Sequence, residues 1–161
     1  MITLTYCYVC PHRCGVDRPE NMNDTSYDKY FGSCGCGMLP IVARAGLHMW
    51  EEPCISGDEG SGTVFFSGCS LRCVYCQNYE IARAERGTEI TVERLAEIFL
   101  ELQEKEANNI NLVTPTHYSM EIIEAVKIAR KQGLHIPIVY NCSGYESVIT
   151  LKKLEGIVDI Y

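Results

Sequence analysis

The stretch that decides the fold is residues 63–76, which read TVFFSGCSLRCVYC. Residues 63–67 are β-branched and aromatic, and they predict a buried strand. Three cysteines follow with the spacing C-x3-C-x2-C, at Cys69, Cys73 and Cys76. Thiolates are the usual ligands of iron–sulfur clusters, and active sites in parallel α/β folds lie at the carboxyl ends of strands. The stretch therefore predicts a metal centre on the loop that follows the strand.

The spacing of these cysteines also bears on how such a centre would work. A cubane has four irons, and three ligands on one loop would fix three of them and leave the fourth open. The alternative is a zinc loop whose fourth ligand comes from elsewhere, such as His48, Cys54 or the N-terminal cysteines. The preceding strand and the aromatic Tyr75, directly before Cys76, favour the iron–sulfur interpretation.

Amphipathic helices and apolar strands alternate after the cysteine loop. Residues 91–106 and 119–133 carry apolar stripes at helical spacing, with Thr91 and Ser119 placed as N-caps. Strands are predicted at 110–114, 137–141 and 158–161, and a short helix at 146–154. The alternation predicts an α/β fold built on a parallel sheet. Because Tyr161 falls inside a predicted strand, we expect the chain to be a fragment.

The first part of the chain, residues 1–60, has a different character. It is rich in Cys, Gly, Pro and Asn, and it has little periodic pattern. A small region of this kind buries little apolar area, so we expect a metal to hold it together. Four cysteines of this region could bind either a zinc ion or a second iron–sulfur cluster: Cys7, Cys10, Cys14 and Cys34. Cys36 would then be spare, or it would replace Cys34. We therefore predict two domains, residues 1–60 and 61–161.

Composition narrows the class of protein. Of 161 residues, 47% are hydrophobic and 22% are charged, which is typical of a globular domain. The formal net charge of −7 argues against a nucleic-acid partner, since phosphate binding needs clustered basic residues. The start of the chain has no secretory pattern, and no apolar run reaches the roughly 20 residues of a membrane span. We expect a cytoplasmic location, where ten cysteines indicate metal rather than disulfides.

The cysteine loop resembles that of the radical S-adenosylmethionine (SAM) superfamily, C-x3-C-x-aromatic-C, with Tyr75 at the aromatic position. The resemblance is closer to one branch of it, proteins described as pyruvate formate-lyase-activating enzymes. The matching stretches cover nearly the whole chain: CYVCPHRCGVDR (7–18), WEEPCISG (50–57), GTVFFSGC (62–69), NLVTPTH (111–117) and IVYNCSGY (138–145).

The resemblance implies an incomplete parallel (β/α) barrel of the radical SAM type after the cysteine-rich segment. It implies a [4Fe–4S] cluster on the three loop cysteines, with SAM chelating the open iron and Tyr75 lying against the adenine. An electron from the reduced cluster would cleave SAM to a 5′-deoxyadenosyl radical, which takes hydrogen from a substrate. The implied partners are an electron donor like flavodoxin or ferredoxin and a protein substrate, a glycyl radical enzyme to be activated.

One motif of the superfamily is not matched. Many members carry Gly-Gly-Glu after the second strand to hold the methionine amino group, and Thr114-Pro115-Thr116 stands there in this chain. From their positions after successive strands, we expect four residues to line the cofactor site: Thr114, Thr116, Asn141 and Ser143. The alternative function is a zinc-stabilised, cysteine-rich binding module without redox chemistry.

Overall fold

The computed structural model describes residues 6–18 and 32–161. A five-stranded sheet has the strand order β3-β1-β2-β4-β5. Its strands are β1 (Ile41–His48), β2 (Ser61–Phe66), β3 (Thr88–Glu89), β4 (Ile110–Val113) and β5 (Ile138–Asn141). The helices are α1 (Pro53–Ser56), α2 (Tyr79–Ala82), α3 (Val92–Glu104), α4 (Ser119–Lys131) and α5 (Val148–Leu154), with a 3-10 turn at Thr116–Tyr118.

The sheet is mixed rather than wholly parallel. Strands β2, β4 and β5 are parallel, as predicted, and a bridge from Val139 to Ile160 begins a further parallel pairing. Strand β1 is antiparallel to β2, because the connection between them returns directly and pairs His48 with Ser61. The α/β prediction is confirmed, but the sheet is not wholly parallel, and the incomplete (β/α) barrel that the resemblance implies stays a prediction. Since β1 precedes residue 61, the sheet also extends across the boundary predicted between the two domains.

The two long helices form where the sequence predicts them. Helix α3 is capped by Thr91, whose hydroxyl accepts a hydrogen bond from the Arg94 backbone N–H at 3.1 Å. Ser119 is the first residue of α4 rather than its cap. Its hydroxyl instead donates to the Thr116 carbonyl at 2.8 Å and lies 2.9 Å from the Tyr140 hydroxyl, so it ties α4 to the sheet.

Alternation along the strands gives the sheet two faces of different character. On one face, buried apolar side chains of the strands join those of α3 and α4 in one core, which includes Val64, Phe66, Phe99, Leu112 and Ile122. On the other face, the register places Thr63 beside Asn111 and Asn111 beside Val139. This second face is the more polar of the two, and it is where Asn111 and Val139 line a cavity.

Among the residues that the structure describes, no helix is long and apolar enough to cross a membrane.

Candidate metal centre

The three loop cysteines follow β2 directly, at the carboxyl end of the parallel strands. Gly68 opens the loop with φ at +82°, and its backbone N–H donates to the Ile81 carbonyl at 2.8 Å. A Cβ atom at this position would lie 2.1 Å from the Cys36 sulfur, so both the backbone conformation and the space require glycine. The loop therefore leaves the sheet in one fixed direction.

The thiols of the loop are at least partly exposed. Cys73 is exposed, Cys69 and Cys76 are partly buried, and none of the three forms a disulfide. Tyr75 is 98% exposed, although an aromatic ring of that size is normally placed against other groups. Accessible thiols beside a projecting aromatic ring fit a group that binds from outside, as a cluster with a nucleotide-bearing cofactor does.

The arrangement of the thiols matters for the choice of metal. Within residues 6–18 and 32–161, no three Cys, His, Asp or Glu side chains are placed to share a single metal ion. A single zinc ion needs its ligands around one point. Each thiolate of a cubane binds a different iron, so the ligands of a cluster are spread over its corners. Three thiolates on one loop could bind three irons of a cubane and leave the fourth iron open.

The N-terminal part of the chain packs against the back of this loop. His12 Nε2 donates to the Ser70 carbonyl at 2.6 Å. The Cys36 thiol lies 3.4 Å from the Ser67 carbonyl and donates to it. A third contact places the Arg72 guanidinium against Gly35, where a Cβ would lie only 2.6 Å from it. Residues on both sides of Cys69 are thus held from the N-terminal side.

The predicted second metal site has a different environment. Cys10, Cys34 and Cys36 are buried, while Cys7 and Cys14 are partly buried. Burial raises the pKa of the Cys10 thiol. A hydrogen bond from Cys36 lowers the pKa of Cys34 to about 6, and the same bond raises that of Cys36. Within the described residues, these cysteines do not form a group of three or more side chains placed to hold one metal ion.

The four residues expected to line the cofactor site differ in how far their side chains are exposed. Asn141 and Ser143 are exposed at and after the end of β5. Thr114 has φ at +58°, a strained conformation for a β-branched residue that is often found at functional sites. Thr116 is buried, and its hydroxyl donates to Glu146 Oε1 at 2.5 Å. The structure brings the end of β5 and Thr114 together through the Thr114 N–H, which donates to the Asn141 carbonyl at 3.1 Å.

Two histidines near the loop have roles that the sequence pattern did not identify. His117 is fully buried and its Nε2 donates to the Ser67 carbonyl at 2.7 Å, while burial lowers its pKa to about 3. His12 lies in a turn of the N-terminal segment, yet its ring reaches the cysteine loop. In both cases the partner is a backbone carbonyl far away in sequence, so no spacing motif could have revealed the contact.

Comparison with known proteins gives consistent results. The radical SAM superfamily model matches residues 63–160. An uncharacterised protein of Methanocaldococcus jannaschii, MJ0674, is 27% identical over 96% of this chain and 44% of its own length. The pyruvate formate-lyase-activating enzyme of Clostridium pasteurianum is 29% identical over 64% of this chain and 47% of its own length. No solved structure matches the chain significantly. The chain spans a little under half the length of the curated relatives it matches.

Proposed function

The chain belongs to the radical SAM superfamily, and we propose that Cys69, Cys73 and Cys76 hold a [4Fe–4S] cluster that opens one iron to SAM. The observation that carries the proposal is the loop itself: three partly or fully exposed thiols without disulfides, in the superfamily's spacing, at the carboxyl end of a parallel strand. When bound, the reduced cluster supplies the electron that cleaves SAM to a 5′-deoxyadenosyl radical.

The chain's own residues hold and shape this site. The Ser67 and Ser70 carbonyls accept hydrogen bonds from His117 and His12, which fixes the backbone on both sides of Cys69. The exposed ring of Tyr75 is available to stack on the adenine of the cofactor. The Thr114 backbone, strained at the end of β4, supplies polar groups where other members carry Gly-Gly-Glu.

Residues at and after the end of β5 complete the proposed cofactor site. Asn141 and Ser143 are exposed there and have side chains that both donate and accept hydrogen bonds, as the ribose and methionine groups require. Thr116 contributes indirectly in this proposal, because its hydroxyl is bonded to Glu146. The Glu146 carboxyl also accepts from the Tyr140 hydroxyl at 3.3 Å, and burial raises its pKa.

We further propose that the whole protein activates a glycyl radical enzyme, with a flavodoxin- or ferredoxin-like electron donor in the cytoplasm. The support is the similarity to the activating enzyme of Clostridium pasteurianum, together with the accessible cysteine loop that a large partner could approach. The four N-terminal thiols, Cys7, Cys10, Cys14 and Cys34, are proposed to hold a zinc ion or a second cluster once metal draws them together.

The deciding experiment is iron, sulfide and zinc analysis of anaerobically reconstituted protein, with EPR of the dithionite-reduced sample before and after adding SAM. A cubane signal that SAM shifts, and that the Cys69→Ala, Cys73→Ala and Cys76→Ala variants lose, is expected. The matched control is Cys54→Ala, which removes an exposed thiol away from the loop. Zinc alone after reconstitution would overturn the proposal and favour the zinc-stabilised binding module.

Activation of a glycyl radical enzyme is tested separately. The full-length protein, a chemical reductant and SAM are mixed with a pyruvate formate-lyase, and the glycyl radical is measured by EPR. Formation of that radical supports the assignment. Cleavage of SAM without any radical on the added enzyme would keep the radical chemistry and reject this substrate.

A further inference from the structure

A cavity of about 360 Å³ lies between the N-terminal residues 6–13 and the helices α4 and α5. All three parts contribute to its wall, which includes Tyr8, Arg13, Met120, Ile149 and Lys153. The volume falls within the roughly 300–1,000 Å³ that is usual for small-molecule sites. The cysteines all lie within the described residues, and none of them lines the cavity. The cavity therefore uses none of the residues proposed to hold metal.

Hydrogen bonds join the parts of the wall to one another. The buried Thr150 hydroxyl donates to the Val9 carbonyl at 2.5 Å, which joins α5 to the N-terminal residues. The Lys153 ammonium donates to the Met120 sulfur at 3.9 Å, which joins α5 to α4. The cavity is thus formed by parts of the chain that are bonded to each other in the folded protein.

Much of the wall is aliphatic or aromatic. Val9, Met120 and Ile149 contribute aliphatic side chains. The rings of Tyr6 and Tyr8 also line the cavity, and each of these residues is more than half exposed to solvent. Covering such rings with a flat apolar group removes a large apolar area from water and allows stacking. A ligand with an aromatic body would suit this wall.

The charged residues of the wall select the sign of the ligand. Arg13 and Lys153 line the cavity, and neither takes part in an ion pair within the described part of the chain. Arg13 has φ at +49°, which is unusual for a residue other than glycine, and its guanidinium lies 5.8 Å from the centre of the Tyr8 ring. A cation is thus held beside the aromatic part of the wall, where an anion would be attracted.

One carboxyl group, that of Glu146, also lines the cavity. Its two oxygens already accept hydrogen bonds, from the Thr116 hydroxyl at 2.5 Å and from the Tyr140 hydroxyl at 3.3 Å. Burial raises the pKa of Glu146, so this group gives up its proton less readily than an exposed carboxyl does. Glu146 therefore opposes an anion less than an exposed carboxylate would, and the two cations outweigh it.

We propose that this cavity binds a small organic anion with an aromatic body, with Tyr6 and Tyr8 contacting the body and Arg13 and Lys153 facing the charge. A carboxylate and a phosphate both meet this description, because Arg and Lys bind either group. The site goes beyond the proposed function, since its binding requires neither a cluster nor SAM.

The probe is benzoate, which joins an aromatic ring to a carboxylate. Its binding to ¹³C-methyl-labelled protein is followed by NMR through the methyl resonances of Met120 and Ile149. A probe of this size is expected to bind in the millimolar range. Benzamide, which has a similar shape without the charge, is expected to bind at least about fivefold more weakly, and the cation benzamidine more weakly still. Phenyl phosphate is titrated in parallel, and the tighter of the two anions identifies the group that the site prefers.

Three variants and a control locate the interaction. The double variant Arg13→Gln, Lys153→Gln should lower the affinity for benzoate to that for benzamide and leave benzamide binding unchanged. Tyr6→Leu and Tyr8→Leu keep an apolar side chain without the ring, and each should weaken both probes at least about threefold. Lys152→Gln is the matched control, because Lys152 is exposed on α5 beside Lys153 but does not line the cavity, and it should change neither.

The proposal is overturned if benzoate shifts neither methyl resonance, if benzamide binds as tightly as benzoate, or if the double variant binds benzoate as the unchanged protein does. These results would leave the cluster experiment unaffected. Conversely, benzoate binding in a protein that fails to assemble a cluster would retain this site and reject the proposed function.

Discussion

The two cysteine-rich regions of this molecule differ in what surrounds their sulfur atoms. The loop thiols at Cys69, Cys73 and Cys76 lie on irregular backbone at the surface. The thiols at Cys34 and Cys36 are buried in the core cluster, where Cys36 donates to backbone carbonyls. Both regions have cysteines at metal-binding spacings, so spacing alone does not separate them. Burial does, because a thiol already engaged in the core must be released before it can bind metal.

The regions also touch one another. Cys36 and His117 both donate to the Ser67 carbonyl, and His12 donates to that of Ser70. The buried region thus forms the support on which the exposed loop rests. The first part of the chain therefore supports the loop through hydrogen bonds to its backbone.

The largest expected effect is on thiol reactivity. In reduced, metal-free protein, iodoacetamide should alkylate Cys73 at least about a hundredfold faster than Cys36, because a buried thiol reacts only after local opening. Mass spectrometry of the digested protein measures both rates. Cluster reconstitution should protect Cys73 from alkylation. Cys54, which is also exposed but is not a proposed ligand of the cluster, should not be protected. Equal rates at Cys73 and Cys36 in folded protein would remove the distinction between the two regions.

The second-largest expected effect is on how the free energy of unfolding depends on pH, through His117, which contacts the backbone where the two regions meet. Burial lowers the pKa of His117 to about 3, whereas the unfolded chain binds a proton near pH 6.5. The neutral ring therefore contributes its full stability above about pH 6.5. That stability is lost as the pH falls towards 3, by up to about 1.4 kcal/mol per pH unit.

Urea unfolding between pH 7 and pH 4 tests this dependence. His117→Gln keeps a side chain that can donate to Ser67, and its stability should fall less steeply with acid than that of the unchanged protein. His135→Gln, at an exposed position, should follow the unchanged protein. If the free energies of unfolding of all three proteins fell equally with pH, His117 would bind its proton as readily in the folded protein as in the unfolded chain.

The smallest expected effect is on the support of the loop by His12. His12→Ala removes the hydrogen bond to the Ser70 carbonyl and should lower the free energy of unfolding by about 1 kcal/mol. Amide hydrogen exchange should become faster in residues 69–78 and stay unchanged in α3 and α4. His135→Ala is the matched control, since the His135 ring also contacts a carbonyl, that of Gly133, far from the loop. Unchanged exchange in the loop would show that the N-terminal segment does not hold it.

The sequence was sufficient to predict β2, α3, β4, α4 and β5, whereas the metal centre on the loop stays a prediction. The β-branched run before Cys69 formed β2, Thr91 capped α3, and the strands near 110 and 138 lie parallel to β2. Local patterns succeed here because apolar spacing and capping depend on residues within a few positions of each other. Ser119 was misassigned as a cap because its hydroxyl has a tertiary partner, the Tyr140 side chain.

By itself, the sequence placed the chain in its family and predicted the residues that carry the chemistry: three cysteines in a fixed spacing after a strand, with Tyr75 among them. Only the tertiary structure decided what those residues rest on. The antiparallel return of β1 and the histidines behind the loop both depend on contacts between distant residues. Such contacts depend on how the helices and strands pack together, and this packing produces no periodic pattern in the sequence from which they could be predicted.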